Sequence, residues 1–162
     1  MKKLLVLTLV LGMASLASAD ETIVAPDTVN IGETVTVAVN STEGGIEGIW
    51  RLEFSLDTVL QGQYTLGTPV VTANAGNNSS TVGPVESNDY LVTELTVSDT
   101  ISVDNILAGD WMTITMTGVA AGDVEVLLYQ KFGESLALQD SITMEVGHRR
   151  QITDTCDNFH CD

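Results

Sequence analysis

The chain has 162 residues, of which 22 are Asp or Glu and six are Lys or Arg, so its formal net charge is −16. A negative field of this size repels phosphate backbones and anionic lipid headgroups. This excludes nucleic-acid binding and electrostatic membrane binding from the expected functions. The length suits one domain with a buried core.

The first 19 residues have the layout of a secretory signal peptide. Lys2 and Lys3 form a positive n-region, residues 4–11 an apolar stretch, and the triplet ASA at residues 17–19 a cleavage site. Cleavage near Ala19 removes both lysines and changes the net charge from −16 to −18. The apolar stretch is shorter than the about 20 residues of a transmembrane helix, and no other follows it.

We therefore expect a mature chain that has no transmembrane segment and is secreted, extracellular or attached at the cell surface. The predicted division of the chain is a signal peptide at residues 1–19, one domain at residues 20–147 and a C-terminal tail at residues 148–162.

Short apolar runs separated by turn residues follow the signal peptide. Pro26 and Asp27 end the run at residues 21–25, and Gly32 ends the run at residues 28–31. Residues 33–39 alternate between valine on one face and small or β-branched residues on the other, which is typical of a strand.

The most informative stretch is GIEGIWRLEFSLDTVL at residues 45–60. From residue 50 to 56 large apolar side chains alternate with Arg51, Glu53 and Ser55, a period of two that predicts a strand with one buried face. Trp50 and Phe54 lie on the buried face, so we expect this strand in the middle of the core. Residues 57–61 leave the strand pattern and are the one place where a helical turn is expected.

The pattern is weaker between residues 62 and 84. Residues 66–72 are predicted to form an edge strand, because Pro69 removes a ladder donor and is best tolerated there. The sequence ANAGNNSSTVG at residues 73–83 predicts an exposed loop or hairpin tip.

The rest of the chain reads as further strands. Residues 90–97, 110–117, 124–128 and 142–146 each alternate with a period of two, and glycine-containing turns separate them. Turn signals recur about every eight to twelve residues and no stretch has a helical period. The predicted fold class is all-β, in the form of a sandwich or barrel.

Three blocks of these residues resemble the cohesin and carbohydrate-binding-module superfamily of β-sandwiches. They are GETVTVAV at residues 32–39, GIWRLEFSLDTVLQ at residues 48–61 and GDWMTITMTGVAAGDVEVLL at residues 109–128. In the second block Asp57 and Leu60 fall on positions that the family's segment also has. The resemblance spans roughly residues 21 to 147.

The resemblance implies a two-sheet jelly-roll sandwich of about nine strands, cohesin-like in form. Cohesins bind dockerin modules through a sheet face, and related sandwiches bind polysaccharide through exposed aromatic strips. The leader and small sandwich also resemble short exported planctomycete-type proteins with a PEP-CTERM sorting tail, whereas this chain ends in GHRRQITDTCDNFHCD.

The sequence does not favour an enzyme. The two histidines, His148 and His160, both lie in the tail after the last predicted strand. The segment GESLA at residues 133–137 resembles a nucleophile elbow but lacks the final glycine, so we expect a hairpin turn there. A glycosidase pair among so many carboxylates stays open, but the strand acids point outward in the expected register.

Four residues are candidates for ligand binding. In the expected register Trp111 and Tyr129 point away from the core, where they would be a sugar-stacking platform or the anchor of a protein interface. The alternative for Trp111 is that it fills the sandwich edge or that a bulge has shifted the register. Arg51 and Glu53 lie on the outward face of the central strand.

Two further features concern metals and disulfides. Cys156 and Cys161 are a candidate disulfide that would close only a short loop, and their spacing is a weak zinc signal. No cofactor is expected, although the acidic composition leaves a structural calcium ion open.

We therefore expect an exported non-catalytic module that binds protein, with dockerin or a cell-surface scaffold as partner. The alternatives are a polysaccharide-binding module and a structural protein of the surface or matrix.

Overall fold

The computed structural model describes residues 21–56 and 62–147. These residues form a two-sheet β-sandwich of eleven strands with two short 3-10 helices, at Ala73–Ala75 and Val103–Asn105. The strands are β1 Glu21–Val24, β2 Thr28–Asn30, β3 Thr34–Ser41, β4 Gly48–Ser55, β5 Tyr64–Leu66, β6 Val70–Val71, β7 Ser80–Ser87, β8 Tyr90–Val97, β9 Gly109–Gly118, β10 Gly122–Phe132 and β11 Ser135–Gly147.

The predicted all-β sandwich is confirmed, with eleven strands in the described residues where about nine were expected. Neither helix in this part of the chain has the length and apolar character needed to cross a membrane. The predictions for the signal peptide, for the turn at residues 57–61 and for the tail with Cys156 and Cys161 fall outside the described residues.

The two sheets have different strand orders. One has five strands in the order β1-β3-β9-β5, with β6 also pairing to β9, and the other has six in the order β2-β11-β10-β4-β8-β7. Neighbouring strands are antiparallel except β2 and β11, which are parallel. The turn at Pro26 and Asp27 lets the chain pass from β1 in the first sheet to β2 in the second.

The core lies between the sheets and is built by the inward residues of each strand. On β4 the side chains of Trp50, Leu52 and Phe54 are all at most 1 % exposed. This strand lies between β10 and β8 in the interior of the six-stranded sheet, so the predicted central position is confirmed. Its apolar face meets Val37 and Ile114 of the opposite sheet in one buried cluster.

Of the two alternatives for Trp111, the outward direction is wrong, and the other, in which a bulge shifts the register, is confirmed. Its side chain is fully buried, and its ring lies 5.0 Å from that of Trp50 at an interplanar angle of 67°. The cause is a β-bulge, because Val39 pairs with Met112 while the next residue, Asn40, pairs with Asp110. Trp111 is thus the extra residue of β9, and the bulge turns its side chain into the core.

The region between residues 66 and 87 also differs from the prediction. The expected edge strand at residues 66–72 is divided into β5 and β6, on either side of the buried Pro69. The expected loop at residues 73–83 contains a 3-10 helix and the first half of β7, the edge strand of the larger sheet. Gly83 and Pro84 interrupt the register of β7 between Val82 and Val85, which weakens this edge as a template for another strand.

The two core tryptophans predict different costs for the same substitution. Trp111 Nε1 donates to the Leu107 carbonyl oxygen at 2.8 Å, whereas Trp50 Nε1 is buried and finds no partner among the described residues. Trp111→Phe loses a hydrogen bond, whereas Trp50→Phe removes an unpaired donor, and both lose similar volume. We expect Trp111→Phe to be the more destabilising of the two by about 1 kcal/mol.

Urea denaturation of both variants measures this difference in the free energy of unfolding. Equal losses, or a larger loss for Trp50→Phe, would show that the hydrogen bond to Leu107 does not contribute to stability.

Candidate functional site

The outer face of the six-stranded sheet carries the strongest candidate site. Because side chains alternate along each strand, the residues between the core positions of β7, β8, β4, β10 and β11 share this outer face. We call it the mixed face, because it contains charged, aromatic and aliphatic side chains. Its central members are Ile49, Arg51, Glu53, Val82, Val85, Val92, Glu94, Leu127, Tyr129, Lys131, Leu136 and Leu138.

The register brings three of the four predicted binding residues together. Tyr129 of β10 pairs directly with Arg51 of β4, and Arg51 pairs in turn with Glu94 of β8. Glu53 follows in the next outward row, opposite Leu127. The fourth predicted residue, Trp111, lies in the other sheet and inside the core, so it does not belong to this site.

Two ion pairs cross the mixed face. Arg51 Nε donates to Glu53 Oε1 at 2.6 Å, and Lys131 Nζ donates to Glu94 Oε1 at 2.9 Å. In residues 21–56 and 62–147 Arg51 and Lys131 are the two basic side chains, and both lie on this face. Partly exposed pairs of this kind add little to the stability of the fold.

Glu53 is the least exposed of these four charged residues. It faces outward from β4, yet the whole residue is only 7 % exposed. Its neighbours across the strands are Leu127 and Val92, which are both buried and which limit access of water to the carboxylate. The short bond to Arg51 therefore holds both side chains in a fixed arrangement on the sheet.

Tyr129 is half-buried beside this pair. Burial is the main cause that raises the pKa of the Tyr129 phenol, and the negative charge of Glu53 adds to it, while Arg51 acts in the opposite direction. The phenol therefore stays protonated at neutral pH and is available as a hydrogen-bond donor and acceptor.

Exposed aliphatic side chains flank the charged centre. Val82 and Val85 of β7 are 67 % and 54 % exposed, and Leu138 of β11 is 55 % exposed. The pairings Val82 with Glu94 and Leu138 with Tyr129 place them on the same face, one on each side of the charged rows. Clusters of exposed aliphatic residues on a folded protein mark interaction surfaces more often than isolated ones do.

The sequence did not predict the exposed aliphatic residues on either side of the charged centre, nor the ion pair between Lys131 and Glu94. Glu94 and Lys131 are 37 residues apart in the chain, and only the strand order brings them together. Leu138 was hidden by a second irregularity, a register shift of β11 opposite Leu128 and Tyr129. The one sequence signal for the position of Leu138 was the alternation of residues from position 135 onward, with leucine at positions 136 and 138.

The geometry around Tyr129 predicts how its titration responds to a substitution. Glu53→Gln removes a negative charge beside the phenol, so the pKa of Tyr129 is expected to fall toward the ordinary value of about 10. NMR with ring-labelled tyrosine follows this titration directly. Glu145→Gln, on an exposed position at the far end of β11, is the control and should leave the pKa unchanged. The same titration curve for Glu53→Gln and wild type would contradict the electrostatic effect of Glu53 on Tyr129.

A second cluster of polar residues lies in the loops at one end of the sandwich. Asp99 accepts hydrogen bonds from the Asn105 side chain and from the backbone N–H groups of Ile101, Asn77 and Ser102, at 2.9 to 3.1 Å. These donors, the Asn105 side chain first, hold the pKa of Asp99 well below its usual range. The carboxylate oxygens are thus engaged in ordering the loop.

Within residues 21–56 and 62–147 no group of three or more His, Cys, Asp or Glu side chains is placed to hold a metal ion. The many acidic residues that are described are spread over separate surfaces.

The lowered pKa of Asp99 predicts a pH-dependent contribution to stability. The unfolded side chain titrates near pH 3.9, so the stabilisation is complete above that pH and is lost as the pH falls toward the folded-state value. Asp99→Asn should therefore lower the Tm at pH 7, and its difference from wild type should shrink at pH 3. Asp104→Asn, on an exposed residue of the same loop, is the control for differential scanning calorimetry. A constant difference at both pH values would count against this role.

The segment that resembles a nucleophile elbow is a hairpin turn, as expected. β10 ends at Phe132, β11 begins at Ser135, and Gly133 between them has a φ of 62° that favours glycine. Both histidines lie outside the described residues.

With the geometry established, the chain can be compared with known proteins. No protein-family model matches it. No curated protein matches its sequence either.

Solved structures of cohesin modules share its fold. A cohesin module from a family 33 glycoside hydrolase of Clostridium perfringens has a TM-score of 0.51 at 12 % identity, over 80 % of this chain and 97 % of that one. The OlpC cohesin of Clostridium thermocellum, solved in a type I cohesin–dockerin complex, has 0.51 at 9 % identity, over 78 % and 92 %. The OlpA cohesin of the same organism, also in such a complex, has 0.50 at 12 %, over 78 % and 98 %. The fold is therefore a cohesin-like β-sandwich.

Proposed function

We propose that the protein is a non-catalytic module that binds another protein through the mixed face, and that it acts outside the cytoplasm after export. The observation that carries this proposal is the composition of the mixed face. In a strongly acidic chain, this face contains both basic side chains of the described residues, beside Tyr129 and between exposed aliphatic residues.

The mixture of side chains supports a protein partner. Protein interfaces are enriched in Arg and Tyr, and their centres exclude water while their margins stay wet. Here Arg51, Glu53 and Tyr129 are partly or largely buried at the centre before any partner is bound. Because the ion pair already fixes the Arg51 side chain, little rotamer entropy is lost when a partner covers it.

The charge of the chain indicates the partner's chemistry. The acids of the mixed face are partly neutralised by Arg51 and Lys131, whereas the rest of the chain carries most of the negative charge. A partner with a polar centre, apolar residues on either side of it and basic margins would meet Leu138 and Val85 with those apolar residues. Its margins would be attracted by the surrounding field, which mainly raises the association rate.

The cohesin-like fold supports a dockerin-type partner. Two of the similar structures were solved as cohesin–dockerin complexes. At 9 to 12 % sequence identity these structures show a similar fold and no more, so dockerin binding by this chain is part of our proposal.

Polysaccharide binding is the weaker alternative. Polysaccharide binding would require Trp111 or Tyr129 to be exposed, but Trp111 is buried in the core and Tyr129 is half-buried. Stacking of a sugar ring needs an exposed aromatic face, and the two residues do not lie on the same sheet.

The test measures binding of the purified protein to a panel of type I dockerin modules by calorimetry, with and without Ca²⁺. We expect at least one module of the panel to bind. Leu138→Asp places a charge on the mixed face and should weaken that binding at least tenfold, about 1.4 kcal/mol. Val24→Asp is the matched control, because Val24 is 51 % exposed on the opposite sheet and Leu138 is 55 % exposed.

Two outcomes would overturn parts of the proposal. Absence of binding across the whole panel would exclude a dockerin-type partner. Equal losses for Leu138→Asp and Val24→Asp would show that binding does not use the mixed face.

A further inference from the structure

We propose that the outer face of the five-stranded sheet is a self-association surface that takes a second copy of this chain. This inference is independent of the proposed function, because it concerns the other sheet and a different kind of partner. It begins from the register of β3, β9 and β5.

Threonines form a regular array on this outer face, which we call the threonine face. Thr34 of β3 pairs with Thr117 of β9, which pairs in turn with Thr65 of β5. In the next row Thr36 pairs with Thr115. Thr113 continues the column on β9.

The spacing of this array follows from sheet geometry. Neighbouring threonines are separated, between backbone positions, by about 4.8 Å from strand to strand and about 6.8 Å along a strand. The β-branched threonine side chain has few rotamers, so the array is stiff and loses little entropy when it is covered.

The threonine face is free of charge over these rows, which is unusual for so acidic a chain. Between Thr34 and Ala38 on β3, and between Thr113 and Thr117 on β9, no outward residue is charged. The Asp110 carboxylate lies at one end of the face and accepts a hydrogen bond from Asn40 Nδ2 at 2.8 Å, and the exposed Glu33 precedes Thr34 at the other end. The exposed side chains beside the array are aliphatic, such as Val70 at 59 % exposure.

The charge distribution selects this face for contact between two copies. The mixed face has Glu53, Glu94 and Glu125 against Arg51 and Lys131, so stacking two copies there would bury two ion pairs and one unbalanced carboxylate from each copy. The threonine face can be covered by its own copy without burying a carboxylate. Two chains of net charge −16 repel each other, and that repulsion is smallest when the charged faces point apart.

The chemistry of threonine makes the face complementary to itself. Each hydroxyl group both donates and accepts, so a two-fold arrangement can pair the hydroxyls of one copy with those of the other. Thr34 and Thr117 already show such a pairing within one chain, with 2.7 Å between their Oγ1 atoms. The methyl groups supply the apolar contact, and two sheets stack in this way at about 10 Å.

The size of the threonine face sets the expected strength of association. The threonine face together with the flanking outward residues of β1 and β6 is four strands wide and about six residues long, roughly 20 by 20 Å, so a dimer would bury on the order of 800 Å² in total. This is below the about 1,200 Å² of a standard stable interface, so the dimer is expected to be weak and concentration-dependent.

The test is sedimentation equilibrium of the purified full chain between about 10 μM and 1 mM, at low and at high salt. We expect a monomer at the low end and a growing dimer fraction at the high end. Added salt should strengthen association, because it screens the repulsion between the acidic surfaces while the contact itself is uncharged.

Two matched variants assign the surface. Thr36→Glu places a carboxylate on the threonine face and should reduce the association constant at least tenfold. Thr143→Glu makes the same change on an exposed residue of β11, on the other sheet, and should leave association unchanged. Circular dichroism of both variants checks that they are folded.

Any of the following results would overturn the proposal. A monomer at every concentration excludes the second copy. Association that weakens with salt requires a charged contact, and association that is lost with Thr143→Glu but kept with Thr36→Glu places the contact on the other sheet. Binding of the monomer to a neutral polysaccharide that depends on Thr36 would assign the face to a different occupant.

Discussion

The contact between Trp50 and Trp111 is the interaction on which the sandwich depends. The first residue belongs to the six-stranded sheet and the second to the five-stranded sheet, and their rings meet edge to face with centroids 5.0 Å apart. These are the two largest fully buried side chains in the described residues, and their edge-to-face arrangement is a favourable aromatic geometry. It requires the bulge in β9, because a regular strand would direct Trp111 to the solvent. Gly48 lies beneath the Trp50 ring, where an added Cβ would come within 2.9 Å of it. The strand irregularity and the glycine are thus both consequences of packing one aromatic pair.

The same alternation that builds the core also separates two outer faces of different chemistry. The mixed face contains two ion pairs, Tyr129 and exposed aliphatic residues, whereas the threonine face is uncharged and uniform. Neither distribution is needed for the core, since the inward residues of both sheets are equally apolar. Folding alone would allow acids on either face, as on the outward positions Glu125 and Glu145 of the larger sheet. The difference between the faces is therefore the observation that a functional account has to explain.

Local patterns predicted much of this fold, and long-range pairing explains what they missed. The alternation from Trp50 to Leu56 correctly predicted β4 and its buried face, because the burial of every second residue in a strand is visible in the local sequence. The inward direction of Trp111 depends on its pairing with β3, about 70 residues earlier, and no local pattern shows it. β7 was missed for a related reason, since Gly83 and Pro84 interrupt the alternation that would identify a strand. The candidate site followed the same rule. Arg51 and Glu53 are two residues apart and were found together, whereas Glu94 and Lys131 meet only through strand order.

The positions of the two faces constrain how the proposed interactions combine. They lie on opposite sides of one sandwich, so a partner on the mixed face and a second copy on the threonine face do not compete for space. Ionic strength acts on them in opposite directions, because salt weakens attraction between an acidic module and a basic partner and also weakens repulsion between two acidic modules. A weak homodimer would present two mixed faces pointing away from each other. A partner with two binding sites would then gain avidity from the dimer without any new contact, provided that its linker spans both faces. A weak threonine contact is therefore compatible with function. A partner that binds both mixed faces would keep the two copies close together, and their raised effective concentration would favour the dimer.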